Sequence, residues 1–142
     1  SPFGLLEELL APDPWRILLS CILLNKTSRR QVDAVLAELL AMLPNATAAA
    51  AADPVAIEPV IRPLGLHEKR SRAIVRFSRE FLARSWRSPR ELHFVGQYGE
   101  DAYNIFCVPG GWQQAAEPHD HALNWYVDFC RGNAAFLGPE AV

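Results

Sequence analysis

Asp120 stands between two histidines in the run Glu117-Pro118-His119-Asp120-His121-Ala122-Leu123-Asn124. Behind it Ala122, Leu123, Tyr126 and Phe129 recur at helical spacing, so Asp120 reads as the N-cap of a last helix. A helix N-terminus keeps a carboxylate charged at neutral pH. Such an anion can stabilise positive charge building on a neighbouring group, and it can orient or deprotonate a water. His119 and His121 would suggest a metal. Residues alternating at a helix start do not converge on one ion without further ligands, so no metal is expected. Cys21, Cys107 and Cys130 are scattered, with no Cys-x-x-Cys, which argues against zinc or an iron–sulfur cluster. They read as buried thiols in a reducing compartment.

A second stretch with chemical potential is Leu92-His93-Phe94-Val95-Gly96-Gln97-Tyr98-Gly99-Glu100-Asp101-Ala102. Before it, Ser88-Pro89-Arg90-Glu91 has capping-box spacing with Pro at the first helical position, so a short helix starts there. After it, Asp101 to Cys107 is apolar at helical spacing and predicts a second helix. A tight apolar turn ending in Gly96 joins them. A turn that opens a helix presents backbone N–H groups and the positive end of the dipole, which suits a phosphate. An ordinary connection inside an all-α domain has the same pattern, and these residues alone leave both readings open.

The elements that must position these groups are all helical. Phe3 to Leu10 predicts a short helix. Asp13 and Pro14 make an N-cap and first-position pair for Trp15 to Leu24, which is apolar nearly all round and so should be the buried central helix. Asn25-Lys26-Thr27 is a polar break. Ser28-Arg29-Arg30-Gln31 caps a helix running to about Leu43, where Pro44 stops it. Thr47 to Ala52 predicts a short helix. Asp53-Pro54 starts another that ends near Pro63-Leu64-Gly65, with Gly65 as a left-handed cap. His67 to Trp86 predicts a long amphipathic helix, with Ile74, Phe77, Phe81 and Leu82 inward and Lys69, Arg70, Arg72, Arg76 and Arg79 outward. Val108 to Pro118 is a loop. No strand alternation or repeat is visible, so the fold class is all-α, with about eight to ten helices.

The 142 residues suit a single domain with a sizeable core, and half of them are hydrophobic. No apolar run is long enough to span a bilayer, and no signal peptide is visible. The chain begins without Met, so it is expected to be one domain, 1–142, of a longer protein. The net charge of −2 looks wrong for a nucleic-acid binder, but its distribution does not. Residues 26–90 hold 12 Lys/Arg against 6 Asp/Glu, while the remainder holds 2 against 10. A basic middle can form one positive face, or simply a solvated helix surface.

The hairpin unit, 88–107, resembles the helix-hairpin-helix of the endonuclease III superfamily of DNA glycosylases. In that superfamily a catalytic aspartate follows the hairpin by one helix and one loop, the place of Asp120. Further motifs narrow the resemblance: Asp13-Pro14-Trp15-Arg16, Leu23-Leu24-Asn25-Lys26-Thr27-Ser28, Arg62-Pro63-Leu64-Gly65-Leu66, Tyr98, Tyr103-Asn104-Ile105-Phe106-Cys107 and Asp120-His121-Ala122-Leu123-Asn124. Together these are similar to the mismatch-specific thymine–DNA glycosylase domain of methyl-CpG-binding-domain proteins. The similarity runs from Ser1 to about Arg131.

The resemblance implies a monofunctional enzyme that excises thymine or uracil mispaired with guanine, at CpG sites, leaving an abasic site for base excision repair. Asp120 matches the catalytic aspartate. Tyr98 matches a tyrosine lining the pocket of the flipped pyrimidine, where bifunctional relatives carry a Schiff-base lysine; a phenol cannot form that adduct. Lys26 matches an arginine that enters the duplex, and Leu66 an apolar wedge on the opposite strand. Val95, Gly96, Gln97 and Gly99 of the hairpin, with His121, are expected against DNA. The implied partner is double-stranded DNA carrying a mismatched or damaged pyrimidine, bound by a monomer in the nucleus. No organic cofactor is implied; the superfamily suggests a monovalent cation at the hairpin carbonyls.

Three residues depart from the family pattern. Phe94 replaces the first hairpin glycine, and would be strained if that position needs positive φ. Gln97 replaces a common basic residue. Glu7 replaces a pocket glutamine that reads the pyrimidine edge, so it is expected either to be protonated and imitate the amide, or to stay ionised and favour a modified cytosine. A non-catalytic helix-hairpin-helix binding module is the other reading, with Asp120 only a cap.

Overall fold

A computed structural model describes residues 4–110 and 121–132, with backbone only at His121 and Ala122. Among the described residues the chain forms eight α-helices and no strand. They are α1 (Leu6–Leu10), α2 (Pro14–Leu24), α3 (Arg29–Met42), α4 (Ala46–Ala51), α5 (Pro54–Ile61), α6 (His67–Ala83), α7 (Gln97–Phe106) and α8 (His121–Gly132). Single 3-10 turns occupy Arg62–Leu64 and Pro89–Glu91. None of these helices is long and apolar enough to cross a membrane.

The expected caps start the expected helices. Asp13 accepts the Arg16 amide at 3.0 Å with Pro14 at the first helical position of α2. Ser28 and Gln31 bond reciprocally at the start of α3. Asn45 caps α4, one residue earlier than the Ala-rich run suggested, and Asp53 caps α5.

α2 is the central helix because both of its sides are apolar. Leu18, Leu19, Ile22 and Leu23 join a core built with α3, α5 and α6 through Val32, Leu39, Ile57, Ile74 and Phe77. Ile17 and Cys21, on its other side, join Ala102, Ile105 and Phe106 of α7 and Leu123, Tyr126 and Val127 of α8. Removing one such buried leucine to alanine typically costs about 2–5 kcal/mol. A buried bond fixes α2 on α6: Trp15 Nε1 donates to Ser78 Oγ at 3.0 Å, and Ser78 Oγ donates on to the Ile74 carbonyl at 2.7 Å.

The structure corrects the sequence at several ends. α1 begins at Leu6, after Gly4 at φ 58°. α6 stops at Ala83, not Trp86: Arg84 takes a left-handed cap at φ 54°, and the Trp86 ring folds back against Phe81 and Tyr103, 5.6 and 5.9 Å between centroids. Packing two aromatic neighbours outweighs another helical turn. Gly65 is not the left-handed cap. Its φ 77°, ψ 165° falls in a region open essentially to glycine alone, and Leu66 takes the left-handed conformation instead. On α6, Arg70 is 1% exposed and Leu82 37%, the reverse of the expected faces.

Candidate base pocket and DNA interface

The hairpin unit is tighter than its sequence suggests. Its first arm is one 3-10 turn, Pro89–Glu91, after which Leu92 turns extended and enters the core. The expected capping box is present, with the Ser88 and Arg87 amides donating to Glu91 at 2.7 and 2.8 Å. These two bonds, that of Ser88 first, hold the Glu91 carboxyl below its ordinary range. Its second arm, α7, begins at Gln97 rather than Asp101, with Gly96 as N-cap. Gly99, expected against DNA, is buried. It is a packing device: a Cβ there would lie 2.7 Å from Val95 Cγ1, an overlap, but 3.8 Å from Cys21 Cβ of α2, an ordinary contact, so its absence makes room for Val95.

Phe94 sits at φ 68°, so the position does require positive φ, and a non-glycine residue bears the strain. Neighbours hold it there. The Val95 amide donates to the Leu92 carbonyl at 3.2 Å, closing the turn, and the His93 amide donates to Glu80 of α6 at 2.6 Å. Lys69 Nζ lies 5.5 Å from the centre of the Phe94 ring. Burial, then the Arg76 charge, lowers the His93 pKa below its usual value.

Between this turn, the α1 segment and the C-terminal end of α2 lies a cavity of about 660 Å³. Glu7, Cys21, Asn25, Lys26, Phe94 and Tyr98 are among its lining residues. Glu7, from α1, is 2% exposed, and its Oε1 accepts the Tyr98 hydroxyl from the first turn of α7. The two expected pocket residues, 91 positions apart in sequence, therefore meet directly. Arg29 Nη1 donates to the Gly4 carbonyl at 2.6 Å and ties the α1 segment to α3 at the rim.

The other expected residues fall as follows. Lys26 is exposed at the cavity edge, at φ 59°. Leu66 is 57% exposed on the loop before α6, at φ 50°. Gly96 is exposed at the start of α7, while Val95 and Gly99 are buried behind it. Gln97 accepts from Arg90 Nη1 and donates to Asp101 at 2.9 Å, so a guanidinium stands at the hairpin where residue 97 supplies no charge. Asp120 and His119 lie outside the described residues, as does the side chain of His121; α8 opens at His121. Of the basic residues between 26 and 90, all but Arg29 and Arg70 are exposed.

Sequence reasoning missed two features. Arg70, assigned to the polar face of α6, is buried against backbone carbonyls, which helical periodicity cannot reveal. Glu58, His67 and Glu68 bring three potential metal-ligand atoms within 4.8 Å of one another, from α5 and the start of α6, and none of them lines the cavity. Cys21 and Cys130 are buried as expected and Cys107 is half-buried; desolvation pushes the Cys107 thiol up to about 12.

Among the described residues the fold is thus all-α, with the hairpin as one wall of the cavity. No family model matches the chain. Over 131 residues, 92% of the chain, it is 45% identical to a methyl-CpG-binding domain protein 4-like protein of Arabidopsis thaliana, spanning 29% of that protein. It is 37% identical over 93 residues to a thymine-DNA glycosylase of Aeropyrum pernix, covering 61% of the chain and 42% of that protein. It is 31% identical over 106 residues to a thymine/uracil-DNA glycosylase of Pyrobaculum aerophilum, covering 75% of the chain and 42% of that protein. The chain belongs to the family of thymine–DNA glycosylase domains that these relatives represent, and it spans less than half the length of each.

Proposed function

We propose that this domain excises thymine or uracil mispaired with guanine from duplex DNA, at CpG steps, and leaves an abasic site on an intact strand. The observation that carries the reading is the pair of buried Glu7 and half-buried Tyr98 in a cavity at the start of α7. A base inside a duplex is out of reach, so the target nucleotide must swing out into a pocket. The cavity volume is within the range of small-molecule sites, and Glu7 and Tyr98, which line it, would bring polar atoms to the edge of an entering base. Lys26 and Leu66, both exposed on left-handed loops, are the side chains that would occupy the gap in the stack.

The bond from sugar to base breaks with positive charge building on the sugar, as in glycoside hydrolysis. Asp120 supplies the anion that stabilises this charge and orients or deprotonates the attacking water. Tyr98 occupies the Schiff-base position with a phenol, so no covalent adduct forms and the backbone is not cut.

A second reading is favoured by one observation, the carboxylate at position 7. An ionised Glu7 accepts only, which suits the exocyclic amine of a modified cytosine. A panel of duplexes, each with a single thymine, uracil or modified cytosine opposite guanine, separates the two. Free thymine and uracil, with strand cleavage only after alkali, are expected. Release of cytosine derivatives alone would move the assignment to the second reading, and duplex binding without release of any base would make this a binding module.

A further inference from the structure

Arg70 is among the largest fully buried side chains, and all of its bonds among the described residues go to backbone carbonyls. Nη1 donates to Ile22 at 2.9 Å and, more weakly, to Leu23 at 3.4 Å; Nη2 donates to Asn25 at 2.6 Å. Nε points the other way and donates to Gly65 at 3.1 Å. Three of these carbonyls close the C-terminal end of α2, where the last carbonyls lack helical partners and the negative end of the dipole accommodates a cation. A planar guanidinium with five donors can serve two loops at once; a lysine ammonium cannot.

The two loops are those that present Lys26 and Leu66. The Asn25 carbonyl belongs to the peptide unit leading into Lys26, and the Gly65 carbonyl to the unit leading into Leu66. Both following residues take left-handed conformations, φ 59° and φ 50°, which side-chain-bearing residues adopt only when their surroundings impose it. The loop after α2 is also a cavity wall, through Leu24, Asn25, Lys26 and Thr27.

We propose that Arg70 is a positioning residue: its fork locks the Lys26 loop and the Leu66 loop into one block, so that the two side chains meet the duplex at a fixed spacing. The consequence for DNA rests on the function proposed above; the lock itself does not. Preorganisation of this kind removes the ordering cost that two independent loops would carry when the helix is opened.

Hydrogen exchange on the free protein tests the lock. The Thr27 amide, bonded to Leu24 at 3.2 Å, and the Gly65 amide, bonded to Arg62 at 3.0 Å, are the probes. In Arg70→Lys both should exchange at least tenfold faster, while amides within α4 and α7 keep their protection. With a G:T duplex carrying 2-aminopurine beside the thymine, base opening should fall at least tenfold while affinity for a matched duplex changes less than twofold. Adding Leu66→Ala to Arg70→Lys should lower opening by less than Leu66→Ala does alone. Loosening of one loop only, unchanged exchange in both, or independent effects of the two substitutions on opening would overturn the proposal. If the wild type opens no mismatch, the functional reading fails and the exchange arm alone decides the lock. If Arg70→Lys does not fold, Gly65→Ala displaces the Gly65 carbonyl, because alanine resists φ 77°, ψ 165°. Faster exchange at Thr27 is then expected, and an unchanged rate there overturns the lock.

Discussion

Gly99→Ala tests whether the bare Cα at position 99 makes room for Val95. The added Cβ would sit 2.7 Å from Val95 Cγ1, well inside the about 3.5–4.0 Å at which carbon atoms are at ease. Val95 is itself buried and β-branched, so it cannot swing aside without leaving its rotamer. Overpacking of this kind costs about 1–3 kcal/mol. Alanine gains up to about 1 kcal/mol over glycine in a helix, less in a first turn. The net is a destabilisation near 1 kcal/mol, which for a domain of this size lowers the melting temperature by roughly 3–5 °C. Melts followed by circular dichroism measure it. In a Val95→Ala background the methyl has room, so the same substitution should cost almost nothing further. A melting temperature unchanged or raised by Gly99→Ala in the wild-type background would refute the packing argument.

Other expectations are as direct. Glu7→Gln should raise the single-turnover rate of thymine excision opposite guanine, because an amide both donates and accepts where an ionised carboxylate only accepts; an unchanged rate would mean that Glu7 does not read the base. Leu66→Ala should weaken mismatch binding more than matched-duplex binding, and Lys26→Ala should lower the slope of log affinity against log salt by about 0.9, the effect of one phosphate contact; equal losses on both duplexes would remove the wedge assignment. His93 has its pKa lowered in the fold, so its contribution to stability is present above about 6.5, its unperturbed value, and is lost as pH falls below it. Thermal melts between pH 7 and 5 should therefore fall less steeply in His93→Gln than in the wild type, and parallel slopes would contradict this.

Much of the helical frame was legible because its signals are local. Asp13-Pro14, the Ser28 and Ser88 boxes and Asp53-Pro54 each fix a start within a few residues, and the all-round apolarity of α2 announced its central place. The misplaced ends have tertiary causes. Trp86 leaves α6 to pack on Tyr103, which lies in another element, and Gly99, expected against DNA, is buried beside Val95. The pocket pair came from motif resemblance. No periodicity would bring Glu7 to Tyr98, since their meeting depends on α1 folding back over the start of α7. Arg70 was misread for a similar reason: a charge at an outward helical register was drawn inward by carbonyls from two distant loops.

In the proposed reaction the Asp120 carboxylate stabilises the charge that builds as the bond between thymine and its sugar breaks. Single-turnover excision from a G:T duplex, under saturating wild type and Asp120→Asn, tests it most directly. The wild type is expected to release free thymine, with the strand intact until alkali. Asp120→Asn should bind the same duplex while losing at least about 100-fold in rate, the low end for removing one acid–base or electrostatic group. Near-normal excision by Asp120→Asn would contradict it, as would a borohydride-trapped protein–DNA adduct with the wild type.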